Sequence, residues 1–244
     1  MIRVLNLIIH AIKKLLPPSS KIRIALRNYI HTSTPVQLHE FVMMRGTFFN
    51  SPSQVIDSLW KTSSNPLLGK GEFYPLFYDS NPGTLELLVM LIEKIRPTTV
   101  IETGIANGAS TRKILSSFSK FDLRNSKLYS IDINPHVATP YLLSNPQFNF
   151  ICIDSQKSFT SAMHKIGTVD LFYHDSNHSY NNQMHEYSIA WEMLNSDTGI
   201  LMSDDINWSN AFLDFCKQIN RVPLLLSDTG KFSGVICKSD KNLV

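Results

Sequence analysis

From residue 82 onward the chain uses two kinds of apolar spacing. Leu85, Leu88, Leu91, Ile92 and Ile95 recur at steps of three and four, which puts them on one side of a helix spanning residues 84–95. Short apolar runs follow at 99–101, 128–133, 148–153, 169–173 and 199–203, the length of strands buried on both faces. Helical spacing returns at 110–118, 183–194 and 209–220, and the tail offers two last strands at 222–226 and 234–238 about the turn Asp228-Thr229-Gly230. Strands alternating with helices predict an α/β fold: seven strands in a mostly parallel sheet with helices on both faces.

The first 80 residues read differently. Ile2, Leu5, Ile9, Ile12 and Leu16 lie opposite Arg3, Asn6, His10, Lys13 and Lys14, an amphipathic helix that Pro17 and Pro18 stop. A second short helix is expected at 21–30, and two more at 36–44 and 53–62 within a stretch punctuated by Ser51-Pro52, Asn65-Pro66 and Gly69-Lys70-Gly71. The aromatic group Phe73, Tyr74, Phe77 and Tyr78 has two readings, packing on the core or the wall of a substrate pocket. The expected organisation is a helical arm with a lid or substrate region over 1–80 and one large domain over 81–244.

Charge adds one feature. The net charge of +3 is too small to point to nucleic acid, but six basic residues precede the first acidic one, Glu40. Without them 17 basic residues stand against 20 acidic, so only the arm is basic. Its helices have two readings: packing on the domain or on a second subunit in a homo-oligomer, or peripheral contact with an anionic membrane surface through residues 2–30. The apolar run at 2–16 lacks a cleavage site and is interrupted too early to span a bilayer, so neither a leader nor a transmembrane segment is expected, and a cytoplasmic location is. Cys152, Cys216 and Cys237 have neither disulfide-framework nor metal spacing and read as small buried residues of a reducing compartment.

Candidate chemistry collects where the strands end. In an open parallel sheet, ligands bind beyond the carboxyl ends of the strands. Glu102 closes the first strand, Asp132 the second and Asp154 the third; Asp175 follows the fourth, and Asp204-Asp205 closes the fifth. The turn Glu102-Thr103-Gly104-Ile105-Ala106-Asn107-Gly108 has glycines for a tight bend and close approach to a ligand, but it lacks the G-x-G-x-x-G spacing of a dinucleotide turn, which argues against NAD or FAD. Asp132, 28 residues past Gly104, is placed to accept hydrogen bonds from both hydroxyls of an unphosphorylated ribose.

The segments VIETGIANGAST, LYSIDINP, DLFYHDSNHSY and GILMSDDI resemble the ordered motifs of class I S-adenosylmethionine (SAM)-dependent methyltransferases. Within that class the likeness is to the small-molecule O-methyltransferase branch of macrocin-type sugar methyltransferases and cephalosporin hydroxylase-like proteins. The resemblance covers roughly residues 81–238 and implies a Rossmann-like sheet. It further implies that Glu102, Gly104, Ala106 and Gly108, with Ser110 opening the next helix, hold the methionine part of SAM. Asp132 would then hold the ribose, Asp154 and Ser155 the adenine side, and Asp175 the inner edge of the cofactor site.

Three converging carboxylates, Asp175, Asp204 and Asp205, repel one another unless a cation neutralises them, and oxygen-only ligands favour Mg²⁺. In the methyltransferases that the chain resembles, the corresponding acids bind Mg²⁺, which holds neighbouring substrate hydroxyls. The expectation is therefore metal-assisted methyl transfer to a hydroxyl of a small molecule, with a sugar or glycan precursor as the acceptor class. One departure matters: relatives commonly read D-x-D-H-S-Y where this chain has Asp175-Ser176-Asn177-His178-Ser179-Tyr180. An amide at position 177 takes no proton, which leaves His178 either as the catalytic base or as a structural histidine. The alternative function is a non-catalytic SAM-binding or membrane-associated partner in a biosynthetic assembly. Trp208 reads equally as a shelf for a substrate ring or as packing, and the spacing of His174, His178 and His185 does not make a helical zinc site.

Overall fold

The structure, a computed structural model, describes residues 79–228 and 231–239. The arm helices, the aromatic group at 73–78 and the turn residues Thr229 and Gly230 lie outside the described residues.

Seven strands, β1 (Thr99–Thr103), β2 (Lys127–Asp132), β3 (Phe148–Cys152), β4 (Leu171–His174), β5 (Ile200–Ser203), β6 (Leu224–Asp228) and β7 (Lys231–Cys237), form one sheet in the order β3-β2-β1-β4-β5-β7-β6. Only β7 runs against the others, pairing antiparallel with both β5 and β6. This is the expected α/β, Rossmann-like sheet. The chain order switches direction between β1 and β4, the place where an open sheet opens a crevice.

Helix α1 (Pro82–Ile95) starts on a proline, whose missing N–H costs nothing in the first turn, and ends at Arg96 in the left-handed conformation. Leu88 and Ile92 of α1 pack with Ile114 and Phe118 of α2 (Ala109–Lys120) over Val100, Leu128, Leu171, Tyr173, Ile200 and Met202. Strand alternation turns Phe172 to the opposite face, where it meets Phe159 of α4 (Gln156–Ile166) edge-on at 6.5 Å. On that face α5 (Tyr180–Met193) lies beside α6 (Ala211–Gln218), with Tyr187 against Phe212 and Phe215.

Among the described residues the expected helices and strands are present, with ends that coincide or shift by up to three residues. Among the described residues two α-helices were not expected: the single turn α3 (Pro140–Leu143) and α4. Within α4 the buried residues are only Phe159, Ala162 and Met163, a stripe too narrow to register as a period. Its signal is the capping box, in which Ser155 and Ser158 exchange side chain and backbone hydrogen bonds. Cysteine burial is corrected too: Cys216 is buried and Cys237 half-buried, but Cys152 is exposed, and all three are free. Among the described residues no helix is long and apolar enough to cross a membrane.

Candidate active site

Strand register builds the site. Thr103 faces His174 across β1 and β4, and His174 faces Ser203 across β4 and β5, so Gly104, Asp175 and Asp204 stand side by side, each one residue past its strand. Backbone bonds continue this alignment from Asp175 N to Thr103 O at 2.9 Å and from Asp204 N to His174 O at 2.9 Å. Gly104 has φ +83°, and a Cβ there would lie 2.3 Å from the Asp175 carbonyl oxygen. No other residue fits this crossing of turn and strand. Gly108, at φ +78°, begins α2, and Ala106 between them also has a positive φ, 48°.

The acids of this half are held by neutral donors. Glu102 has no exposed surface. Thr111 and Ser130 donate to its carboxylate at 2.7 Å, and Ser110 donates to the other oxygen. Burial nevertheless pushes its pKa up to about 7, the three hydroxyl bonds opposing. Glu102 and Ser110 thus fasten the end of β1 to α2 and β2. Asp132 accepts from Ile105 N and Asn134 N, both at 2.8 Å, which ties the turn to the end of β2 and leaves one further lone-pair direction on each oxygen. Asp154 is exposed and accepts from Ser155 Oγ at 2.9 Å and Ser158 Oγ at 2.8 Å, bonds that hold its carboxyl below the usual value.

The second half is charged. Asp204 is fully buried; Oδ1 accepts from Ser233 Oγ at 2.7 Å and Thr84 Oγ1 at 3.3 Å, while Oδ2 faces Lys231 Nζ at 3.8 Å. Lys231 Nζ also lies 3.5 Å from Asp205 Oδ2 and donates to the Asp79 carbonyl at 3.2 Å. Asp205 holds the left-handed conformation at φ 47°. Asp175 Oδ2 accepts from Ser80 Oγ at 2.9 Å and Tyr173 OH at 3.3 Å. Burial raises the Asp175 carboxyl well above its ordinary value, and repulsion from Asp204 adds to the shift. Burial likewise raises Asp204, with Lys231 opposing.

His178 joins these acids. Its Nε2 is 3.7 Å from Asp175 Oδ1 and 3.9 Å from Asp205 Oδ2. Burial pushes the imidazole down to about 4 despite the pull of Asp205, so it is neutral at physiological pH. Its ring lies against Trp208, 6.4 Å between centroids and 25° from parallel, and edge-on to His174 at 5.5 Å. Trp208 is therefore a shelf for His178. Asn177 is exposed, and its side chain oxygen accepts from Ser179 N at 3.0 Å, a loop turn that Asp makes equally well. His174 and His185 are elsewhere engaged: His174 pairs with Glu186 at 2.8 Å in the interior, and His185 Nε2 sits 3.2 Å from both Thr160 Oγ1 and Gln156 O.

Residues 101–206, from β1 to just past β5, match the family model of a methyltransferase domain. No curated protein sequence matches the chain. Among solved structures, the chain is similar to an O-methyltransferase of Bacillus cereus in complex with S-adenosylhomocysteine, at 11% identity over 78% of this chain and 94% of that one, TM-score 0.56. It is also similar to an S-adenosylhomocysteine-bound methyltransferase of Podospora anserina, at 12% identity over 90% and 97% of the two chains, TM-score 0.52.

At this strand edge Asp175, Asp204 and Asp205, expected as Mg²⁺ ligands, are not gathered into a ligand set. Among the described residues no three His, Cys, Asp or Glu side chains are arranged to share a metal ion. The physical reason is on the edge itself: Asp204 Oδ1 and Asp175 Oδ2 each accept from two hydroxyls, and the Lys231 ammonium lies between Asp204 and Asp205. Lys231, Asp79 and Ser80 are the site residues that sequence reasoning missed, and all three lie outside the matched segment. Starting β7 at Gly234 cut off its first three residues. Alternation carried back to the turn puts Lys231 and Ser233 on one face, and both reach Asp204. The boundary expected between residues 80 and 81 passes through this cluster.

Proposed function

We propose that the protein transfers a methyl group from SAM to a hydroxyl oxygen of a small molecule. The observation that carries this reading is the close approach of Gly104 to Asp175, which makes the glycine turn and the acid–imidazole edge two walls of one site. SAM, when bound, supplies a methyl carbon activated on a sulfonium sulfur. The glycine cradle at 104–108 fits its methionine part, Asp132 retains acceptor capacity for ribose hydroxyls, and Asp154 with Ser155 stands on the adenine side.

On the other wall Asp175 and Asp205 offer carboxylate oxygens to acceptor O–H groups, and His178 Nε2 lies within 4 Å of both. As the O–C bond forms, the C–S bonding pair returns to sulfur and the hydroxyl proton passes to His178. An imidazole with a pKa of about 4 is a weak base, but the acceptor oxygen turns strongly acidic once it begins to carry the methyl group. Asn177 is exposed and its side chain oxygen is bonded to Ser179 N, so this reading gives it no proton to carry. A sugar or glycan precursor as acceptor class is supported by the resemblance of the motifs.

Titration calorimetry of the full chain with SAM and with NAD tests the reading: SAM binds and NAD does not. No heat with SAM overturns it. Incubation with CD₃-labelled SAM and polyhydroxylated acceptors then reads the transfer directly by mass.

A further inference from the structure

We propose that Lys231 is the resident cation of this site: its ammonium occupies the position between Asp204 and Asp205 that a divalent ion would otherwise fill, so the protein binds no metal there. The inference concerns the acceptor side of the methyltransferase just proposed, and its test is independent of methyl transfer.

The topology delivers the lysine. Strand β7 runs against β5 with Gly234 opposite Ser203, so the residues before Gly234 overhang the carboxyl end of β5. Ser233 and Lys231 project on the same face of that overhang, where Ser233 Oγ donates to Asp204 at 2.7 Å and Lys231 Nζ lies 3.8 Å from Asp204 and 3.5 Å from Asp205. The ammonium is fixed from behind by the Asp79 carbonyl at 3.2 Å, and the residue is only 4% exposed.

Such an ammonium and a divalent ion exclude each other. A hard ion needs carboxylate oxygens at about 2.0–2.6 Å, which on Asp204 or Asp205 sets it within a few ångströms of a positive charge in a poorly solvated interior. Lysine meets the same need, since it neutralises a buried acid pair whose mutual repulsion otherwise calls for a cation. It differs from a metal in what it offers an acceptor. A metal presents open coordination positions to oxygen lone pairs, whereas here the ammonium is enclosed and the carboxylates present acceptors to O–H donors. Lys231 is accordingly a positioning residue that acts through Asp204 and Asp205.

Electron paramagnetic resonance of MnCl₂, which reads free Mn²⁺, tests this on the full chain as wild type, Lys231→Met, and Lys231→Met with Asp205→Asn. The wild type is expected to leave the free signal intact through the low-millimolar range. Lys231→Met removes the charge at similar volume and is expected to bind Mn²⁺ at least tenfold more tightly; adding Asp205→Asn abolishes the gain. A lysine that serves only packing produces no such gain, so a folded Lys231→Met with unchanged Mn²⁺ affinity overturns the proposal. Should Lys231→Met fail to fold, the wild type decides with Asp205→Asn: Mn²⁺ binding weakened by Asp205→Asn overturns the proposal, and no binding by either upholds it. Calorimetry with SAM on the same samples separates this result from the methyltransferase reading, because the Mn²⁺ signal is read whether or not SAM binds.

Discussion

Hydroxyls bond acids in both halves of the strand edge, and the half beyond β4 and β5 adds a buried cation. Beyond β1 and β2, Glu102 receives three hydroxyl donors and Asp132 two backbone amides, all neutral. Beyond β4 and β5, Asp204 and Asp205 share a buried ammonium, Asp204 Oδ2 accepts no hydrogen bond, and a neutral imidazole stands nearby. Neutral donors fix a carboxylate without changing the charge around it, which suits a turn that must keep its shape for a cofactor. Charges held in balance respond when a proton or a sulfonium charge arrives or leaves, which suits chemistry. A fold that packs both kinds along one edge separates holding from reacting.

The strongest way to break this division is at its seam. Gly104→Ala places a methyl 2.3 Å from the Asp175 carbonyl on a backbone at φ +83°, and we expect it to lower stability by about 3 kcal/mol or more and abolish SAM binding. Gly108→Ala, on a backbone at φ +78°, is tight only against the far end of Arg112, at 3.2 Å, so it is expected to lower stability by about 1 kcal/mol. Urea unfolding of both variants checks the contrast. Equal effects would mean that the two walls do not press on each other at Gly104.

The next effect sharpens the neutral half. The folded pKa of Glu102, about 7, lies above its ordinary 4.5, so the folded state holds the proton more tightly. Stability from this group is complete below about pH 4.5 and is lost as pH rises through about 7, up to about 3 kcal/mol. Glu102→Gln removes the loss. Its unfolding free energy relative to wild type is expected to rise steadily between those pH values, and a flat difference would show that the hydroxyls already keep Glu102 ionised.

The neutral half was also the more legible one. Its acids end regular strands and its glycines form a recognisable turn, so Gly104, Gly108 and Asp132 stand out by position. The charged half depends on contacts distant in sequence. Ser80 reaches Asp175 and Thr84 reaches Asp204 across the domain, and Lys231 enters on an antiparallel strand whose start was placed three residues late. A lone lysine after a turn looks like a solvated surface charge until the register of β5 and β7 is known. The three acids were recognised, but the cation that accompanies them was sought outside the chain. Helix α4 escaped for a related reason: its packing is set by Phe172 of the sheet beneath it more than by its own narrow apolar stripe.

A smaller effect distinguishes the charged half by sign. His178 is pushed down to about 4 from an ordinary 6.5, so the unfolded chain binds its proton first and stability falls as pH drops from 6.5 towards 4. The side chain is 18% exposed, and the effect is expected to be weaker than that of Glu102. His178→Gln should flatten stability over this window, where Glu102→Gln changes the slope in the other direction. If His178 also takes the proton, the acid limb of the rate profile falls near pH 4 in the wild type and vanishes in the variant; a limb that survives substitution assigns the proton to a carboxylate.

The smallest expected effect lies at the outer end of the cofactor wall, where holding a helix and holding a ligand have to be told apart. Asp154 is exposed and bonds only Ser155 and Ser158, so Asp154→Ala should leave stability within about 0.5 kcal/mol, whereas Ser155→Ala removes the cap of α4 and should lower it by about 1 kcal/mol. If the pair stands beside the adenine, SAM affinity measured by calorimetry falls several-fold for Asp154→Ala although its stability does not. Unchanged affinity in that variant would leave Asp154 and Ser155 as a helix start alone, and the neutral wall would then end at Asp132, whose two oxygens accept from Ile105 N and Asn134 N.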